Sequence, residues 1–293
     1  MTEPRVSIIV PVYNAERALP RLMASLRAQS YPRWRVQVLM VDNGSTDASR
    51  EMMARYPEVT VLSQTERQGP AATRNEGIRR AEGEVLAFID ADCWAGADWL
   101  RTGVHTLRER GADRVAGRVE FVLSDHPNFY EMYDSTINFQ QGDFIAGGWS
   151  GTGNLFARRE VFDAVGLFDP DLVSCEDSEW GRRATAAGKT LVYADAAVVY
   201  HKARRAFWPL MRKWMRTEYG AAQVYRRRGE LALQLWYHKA NWRPLAGAWR
   251  RFPPERRRSA RVRCQIDLMA NALRLAGNAG SFMGYFGIGR PVK

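Results

Sequence analysis

Cysteine is scarce in this chain. Cys93, Cys175 and Cys264 stand far apart and form no C-x-x-C pair, which argues against a structural zinc and a disulfide scaffold and fits a reducing cytosol. Long hydrophobic runs are also lacking. No stretch reaches the ~18 apolar residues of a membrane span, and the nearest, 275–289, is uncharged but rich in glycine. The opening MTEPRVSIIVPVYN holds too short an apolar run for a signal peptide. Acidic residues are sparse in one region only. Residues 202–293 carry 21 Lys and Arg against 4 Asp and Glu, net +17, whereas residues 1–201 carry 22 against 28, net −6. An acidic head is thus joined to a basic tail, and such a tail suits phosphate, as nucleic acid or as anionic lipid. The 293 residues leave room for one large α/β domain and an appendage.

The most informative stretch that is present is EVLAFIDADCW, residues 84–94. A short continuous apolar run reads as a strand buried on both faces, as in a parallel sheet. It runs into Asp90-Ala91-Asp92 at its C-terminal end, the side on which open α/β sheets bind ligands. On extended backbone the two carboxylates leave on the same side, and hard oxygen donors so placed suit a divalent cation carrying a diphosphate. D-x-D alone is a short pattern, and a strand ending in a solvated turn would look the same.

Other segments repeat this design. Residues 6–13 (VSIIVPVY) read as a buried strand, followed by a helix opening at Asn14-Ala15-Glu16 with apolar positions at Ala18, Leu19, Leu22, Met23 and Leu26. Residues 36–41 form a second strand ending in Asp42-Asn43-Gly44-Ser45-Thr46-Asp47. Gly44 permits a tight turn, and Ser45 or Thr46 can cap the next helix. Asp42 repeats the placement of Asp90 and can accept hydrogen bonds from a base or ribose. Residues 59–64 are a third strand, and 71–81 a helix with Arg74 in its first turn, where a cation opposes the helix dipole. A helix over 94–110, a strand over 115–122 and an aromatic-rich segment without clean period over 125–144 follow. The glycines of 146–154 predict a flexible loop able to bring backbone close to a ligand. A short helix spans 159–165. Glu176-Asp177 then open a helix to 187, where acidic residues suit the dipole and a carboxylate can also serve as general base. Two β-rich pieces over 189–201 end at His201.

Taken in order, VSIIVPVYNAE, VDNGSTD, GPAATRNEG, FIDADC, GTGNLFARREVFDAVGLFD and EDSEWGRRATAAGKTLVYADAAVVYH resemble family 2 glycosyltransferases of the GT-A fold, over residues 5–201. Each motif is weak alone; the ordered set is specific. The resemblance implies an α/β, Rossmann-like, mostly parallel central sheet flanked by helices. The catalytic domain would be 1–201, with a nucleotide-sugar half over 1–93 and an acceptor half over 94–201, and 202–293 a basic, aromatic-rich helical extension. It implies that Pro11, Val12, Tyr13 and Glu16 border the base and ribose, that Asp42 binds the base, and that Arg74 lies near the nucleotide. Asp90, beside Ala91, would face ribose and metal. Asp92 would bind Mn2+ or Mg2+, with His201 completing the metal site. Asp177 would be the catalytic base, with Glu176 beside it, while Gly153, Asn154 and Trp180 bear on the sugar and acceptor. Asn43 stands where the family often has a second Asp, and Trp180 where a smaller aliphatic residue is common.

The implied reaction is metal-dependent transfer of one sugar, with inversion, from a nucleotide-sugar donor, UDP-linked foremost, to a hydroxyl of a glycan or lipid-linked acceptor in cell-envelope or polysaccharide synthesis. In the tail, 203–230 alternates cationic with aromatic residues, which suits a membrane interface, and Ile266, Met269, Ala270, Leu273 and Ala276 share one helix face. Peripheral docking on anionic lipid at the inner face of the plasma membrane is the expectation, against a subdomain that packs on the catalytic head. Nucleic acid is disfavoured because no recognised module is present. Relatives that polymerise sugar carry membrane helices and a Q-x-x-R-W motif, and this chain has neither. Three rivals remain. A nucleotidylyltransferase needs a G-x-G-x-R loop that 8–18 lacks, a tail-driven binding protein would place the activity in 202–293 alone, and a silent sugar-nucleotide-binding protein docked through its tail would bind donor without turnover.

Overall fold

The computed structural model describes residues 3–229, 248–252, 254–256 and 259–286. Elements follow in the order β1 (Val6–Val12), α1 (Leu19–Arg27), β2 (Val36–Asp42), α2 (Ser49–Ala54), β3 (Val59–Ser63), α3 (Pro70–Arg80), β4 (Val85–Ile89), β5 (Cys93–Ala95), α4 (Trp99–Glu109) and β6 (Arg114–Val122). Then come α5 (Phe129–Ile137), α6 (Gln141–Ala146), β7 (Asn154–Arg158), α7 (Arg159–Val165), α8 (Glu176–Ala186), β8 (Leu191–Lys202), α9 (Phe207–Arg227) and α10 (Ala260–Phe286). The chain divides into two compact units. One is Met1–Val122, Phe139–Asp171 and Glu176–Lys202; the other is Leu123–Asn138, Leu172–Cys175 and Ala203–Lys293.

The first unit is built on one eight-stranded sheet of order β3-β2-β1-β4-β7-β6-β8-β5. β1, β2, β3 and β4 pair in parallel, as do β6 and β8, while β7 runs antiparallel to both β4 and β6 and β5 antiparallel to β8. The strands β1 and β4 are apolar nearly throughout because helices cover both faces. Side chains alternate with period two. Ile8, Val10 and Val12 join α1 residues Leu19, Leu22 and Met23 in one apolar cluster, whereas Ile9 joins Ala71 and Ile78 of α3 in the other. Parallel pairing of β2, β1 and β4 brings their C-terminal ends to one edge, and this places the site.

Three elements differ from the sequence reading. Helix α1 starts at Leu19, because Asn14 is left-handed (φ 48°) and the chain turns first. Residues 93–95 form a strand, because Trp94 pairs with Tyr200 of β8 and stacks on its ring. The segment 189–201 is mostly one strand, β8, with a register irregularity opposite Gly117/Arg118 of β6.

In the second unit α9 and α10 pack closely. A Cβ at Gly280 or Gly284 of α10 would overlap the carbonyls of Met215 and Tyr219, so only glycine permits this backbone approach. Leu210, Phe252, Ile266, Met269, Leu273 and Tyr133 form its apolar cluster. Asp134 of α5 is fully buried and accepts from the Arg204 backbone N–H at 2.8 Å. Among the described residues no helix is long and apolar enough to cross a membrane. Part of the aromatic-basic stretch 203–230 and of the run 254–263 lies outside them.

Candidate active site

The turns after β1 and β2 are knitted together by short polar side chains. Val12 and Asp42 are register partners, and the Asn43 N–H donates to the Val12 carbonyl at 2.8 Å. Asp42, buried, accepts from Ser45 N–H at 3.1 Å. Asn14 accepts from Thr46 N–H at 2.8 Å, and Glu16 from Ala48 N–H at 3.0 Å. Asn43 accepts from Gly69 N–H at 3.2 Å and so ties this turn to the start of α3. The turn residues therefore carry a structural load, and Asp42 keeps a second carboxylate oxygen at the strand edge. Tyr13 is exposed, Pro11 half-buried and Val12 buried.

At the end of β4, Arg74 bridges two carboxylates that are far apart in the chain. Its Nη2 donates to Asp90 Oδ1 at 2.7 Å and its Nη1 to Glu176 Oε1 at 2.6 Å. Arg74 is buried, and its Nε has no hydrogen-bond partner. Burial opposes its charge, but Asp90, Glu176 and Asp177 outweigh that and raise the guanidinium further. Asp177 lies in the first turn of α8. Desolvation, with the charge of Glu176 added, pushes its carboxyl up to about 7, although Arg74 and the amides of Ser178 and Thr152 pull the other way.

Asp92 leaves the sheet edge with a side chain 60% exposed, and its Oδ2 lies 3.3 Å from Nε2 of the buried His201. The contact follows from β5 pairing, which sets Cys93 opposite His201. An Asp92 carboxylate oxygen, the Cys93 Sγ and a His201 ring nitrogen all lie within 4.8 Å of one another. Burial, with Asp92 and Asp90 nearby, holds the Cys93 thiol well above its usual range. Gly153 leaves space beside Asp90. A Cβ there would stand 3.2 Å from Asp90 Oδ2 and from the Phe139 ring.

Two expected site residues point elsewhere. Asn154 is fully buried. Its amide nitrogen donates to the carbonyls of Arg118 and Ala197, both at 2.8 Å, and its Oδ1 accepts from the Trp99 indole at 2.8 Å. The side chain thus ties β7 to β6, β8 and helix α4. Trp180 is a core residue, stacked on Phe162 with ring centroids 4.4 Å apart and donating to the Gly166 carbonyl at 2.9 Å. It fills the core under α8. The glycine-rich loop is also firmer than its composition suggested, because the buried Gln141 side chain both accepts from Gly151 N–H at 2.8 Å and donates to its carbonyl at 3.0 Å. One site neighbour had no signal in the sequence. Phe139 takes a left-handed backbone (φ 51°), which is costly for a bulky residue, and sets its ring against Gly153 and 6.4 Å from that of His201. Cys93 carried a weak signal, its place directly after Asp92.

Known proteins resemble this chain in both sequence and fold. The model of Glycosyl transferase family 2 matches residues 7–168. Glycosyltransferase AglE of Haloferax volcanii is 38% identical over 229 residues, 76% of this chain and 75% of that protein. Mannosyltransferase PcManGT from Pyrobaculum calidifontis, solved with GDP-Man and Mn2+, superposes with TM-score 0.61 at 21% identity, covering 94% of this chain and 74% of that one. TarS of S. aureus, solved with UDP-GlcNAc, gives TM-score 0.57 at 20% identity over 97% of this chain and 92% of that one. With more than half of the chain matched by the family and an extensive relative in AglE, the protein belongs to glycosyltransferase family 2 and is a glycosyltransferase of the GT-A fold.

Proposed function

We propose that this enzyme moves one sugar, with inversion, from a nucleoside-diphosphate sugar to a hydroxyl of a glycan or lipid-linked acceptor in cell-envelope or polysaccharide synthesis. The observation that carries the reading is the Arg74 bridge. It links Asp90, at the donor end of β4, to Glu176, beside the carboxyl proposed as base. In this reading residues 1–201 are the catalytic domain, with 1–93 taking the nucleotide and 94–201 the acceptor. Asp42 accepts hydrogen bonds from the base, with Pro11, Val12, Tyr13 and Glu16 around it. Asp90 takes the ribose beside Ala91. The orphaned Arg74 Nε is a buried donor suited to a donor-sugar oxygen. Gly153 keeps the sugar side open, and Glu176 holds Arg74 in place.

A carboxylate oxygen 3.3 Å from an imidazole nitrogen at the sheet edge is a donor pair that fits a divalent ion. Asp92 and His201 would hold Mn2+ or Mg2+. Such an ion, when bound, supplies Lewis-acid stabilisation of a departing diphosphate. The Mn2+ and GDP-Man with PcManGT and the UDP-GlcNAc with TarS support this class of donor. Asp177 accepts the proton of the attacking acceptor hydroxyl. Its raised carboxyl makes it a stronger base, at the cost of being partly protonated near neutral pH.

The tail supports docking on an anionic lipid surface. Leu268, Leu275, Phe282 and Phe286 of α10 are each more than half exposed, on the side away from its buried face, and the region around them is strongly basic.

The direct test is thermal shift with UDP-, GDP-, dTDP- and CDP-sugars, with and without Mn2+, on wild type and Asp92→Ala. One donor should stabilise wild type only with metal and fail to stabilise Asp92→Ala. Equal stabilisation of both proteins would remove Asp92 from the site.

A further inference from the structure

Cys93 is given no role in the proposed sugar transfer, yet its thiol stands beside Asp92 and His201. It is 2% exposed and faces His201 across the antiparallel β5/β8 pair, so the two side chains leave the same side of the sheet. Its Sγ lies 3.7 Å from Asp92 Oδ1, and His201 Nε2 lies 3.3 Å from Asp92 Oδ2. His201 is 6% exposed, and its Nδ1 has no hydrogen-bond partner. Hard Mg2+ prefers oxygen, whereas sulfur and imidazole nitrogen together select zinc and its softer congeners.

We propose that Asp92, Cys93 and His201 form an oxygen–sulfur–nitrogen site for a thiophilic divalent ion, Zn2+ or Cd2+, whose binding takes Asp92 and His201 out of use and so arrests the enzyme. The inference shares Asp92 and His201 with the glycosyl-transfer reading above and deepens it. Three protein donors are the number that leaves zinc one exchangeable position, and the exposed side of Asp92 is where that position would open. On binding, the thiol proton leaves to solvent as the sulfur–metal bond forms, and no electrons are exchanged. A site holding only Asp92 and His201 would not discriminate zinc from manganese in this way. The thiol turns a site for hard ions into one that zinc can occupy in competition.

The test is titration of the full chain with Cd2+ alone, read by the ultraviolet thiolate-to-cadmium absorption band and by thermal shift. The band should appear in wild type, persist in Cys175→Ser/Cys264→Ser and vanish in Cys93→Ser. Asp92→Asn changes an exposed side chain and keeps the thiol, and it should weaken Cd2+ binding about tenfold or more. A band unchanged in Cys93→Ser would place the cadmium on another cysteine and overturn the proposal. Unchanged affinity in Asp92→Asn would do the same, even if Cys93→Ser does not fold. Mn2+-dependent donor binding, measured on Cys175→Ser/Cys264→Ser, is a separate readout. Its absence beside an intact cadmium band would count against the sugar-transfer site and not against the thiol site.

Discussion

At the scale of single residues, charge placement sets the chemistry. Asp177 has its carboxyl raised from 3.8 to about 7, first by desolvation and then by Glu176. Between those values the folded chain holds a proton that the unfolded chain has released, so this group's contribution to stability falls as pH rises from about 4 to about 7. With Asp177 as the proposed base, activity should run the other way, because only the ionised carboxylate accepts a proton. The kcat profile should therefore climb toward a plateau above pH 7, and Asp177→Asn should flatten that limb and lower kcat by about 10²–10⁴-fold. A stopped assay across pH 5 to 9 checks both, with roughly one pH unit needed to resolve the limb. Arg74 gives a second outcome. Arg74→Met would leave Asp90 and Glu176 without their buried cation, at a cost of about 3–5 kcal/mol. Arg74→Lys keeps the charge but lacks the planar fork that reaches both carboxylates. It should fold with only a modest loss of stability while kcat/KM drops, read by a denaturant melt beside initial rates.

At the scale of elements, the strands were the most legible part. β1, β2 and β4 are short apolar runs ending in a polar turn, a pattern that needs no partner to be recognised. Helix α3 was legible from the chain break at Gly69-Pro70, although its buried face, which includes Thr73, Arg74 and Asn75, was not. The failures came where an element is defined by its neighbour. The three residues of β5 are too few to show a period, and only β8 makes them a strand. The loop over 146–154 reads as flexible from its glycines, yet Gln141, several residues earlier, pins it. Packing at the helix–sheet interface gives a test. Gly103 of α4 lies directly on the Phe156 ring, and an added Cβ would overlap three of its atoms. Gly103→Ala should destabilise the fold by about 1–3 kcal/mol, visible as a lowered Tm with donor binding retained at low temperature.

At the scale of the whole molecule, the charge is divided, net −6 over 1–201 and net +17 over 202–293. Attraction of such a tail to anionic lipid is screened as the Debye length shrinks. The chain should co-sediment with phosphatidylglycerol-containing vesicles at about 0.05 M salt and much less at about 0.5 M. It should not do so with phosphatidylcholine alone, and Leu275→Glu/Phe282→Glu should lose the vesicles at either salt. Binding that survives the double substitution would take α10 out of the account. The sequence alone marked the strands β1, β2 and β4 and put Asp42 and Asp90 at strand ends, because a short apolar run ending in a polar turn is a local pattern, and the order of its motifs pointed to the family. Tertiary structure alone decided what those carboxylates touch. Arg74 meets Glu176 across a hundred positions of chain, and Cys93 meets His201 only through the register of β5 on β8. Asn154 and Trp180, polar or large enough to suggest a binding role, were claimed by the core. A side chain's reach is local in space, and folding makes neighbours of residues that no spacing in the sequence relates.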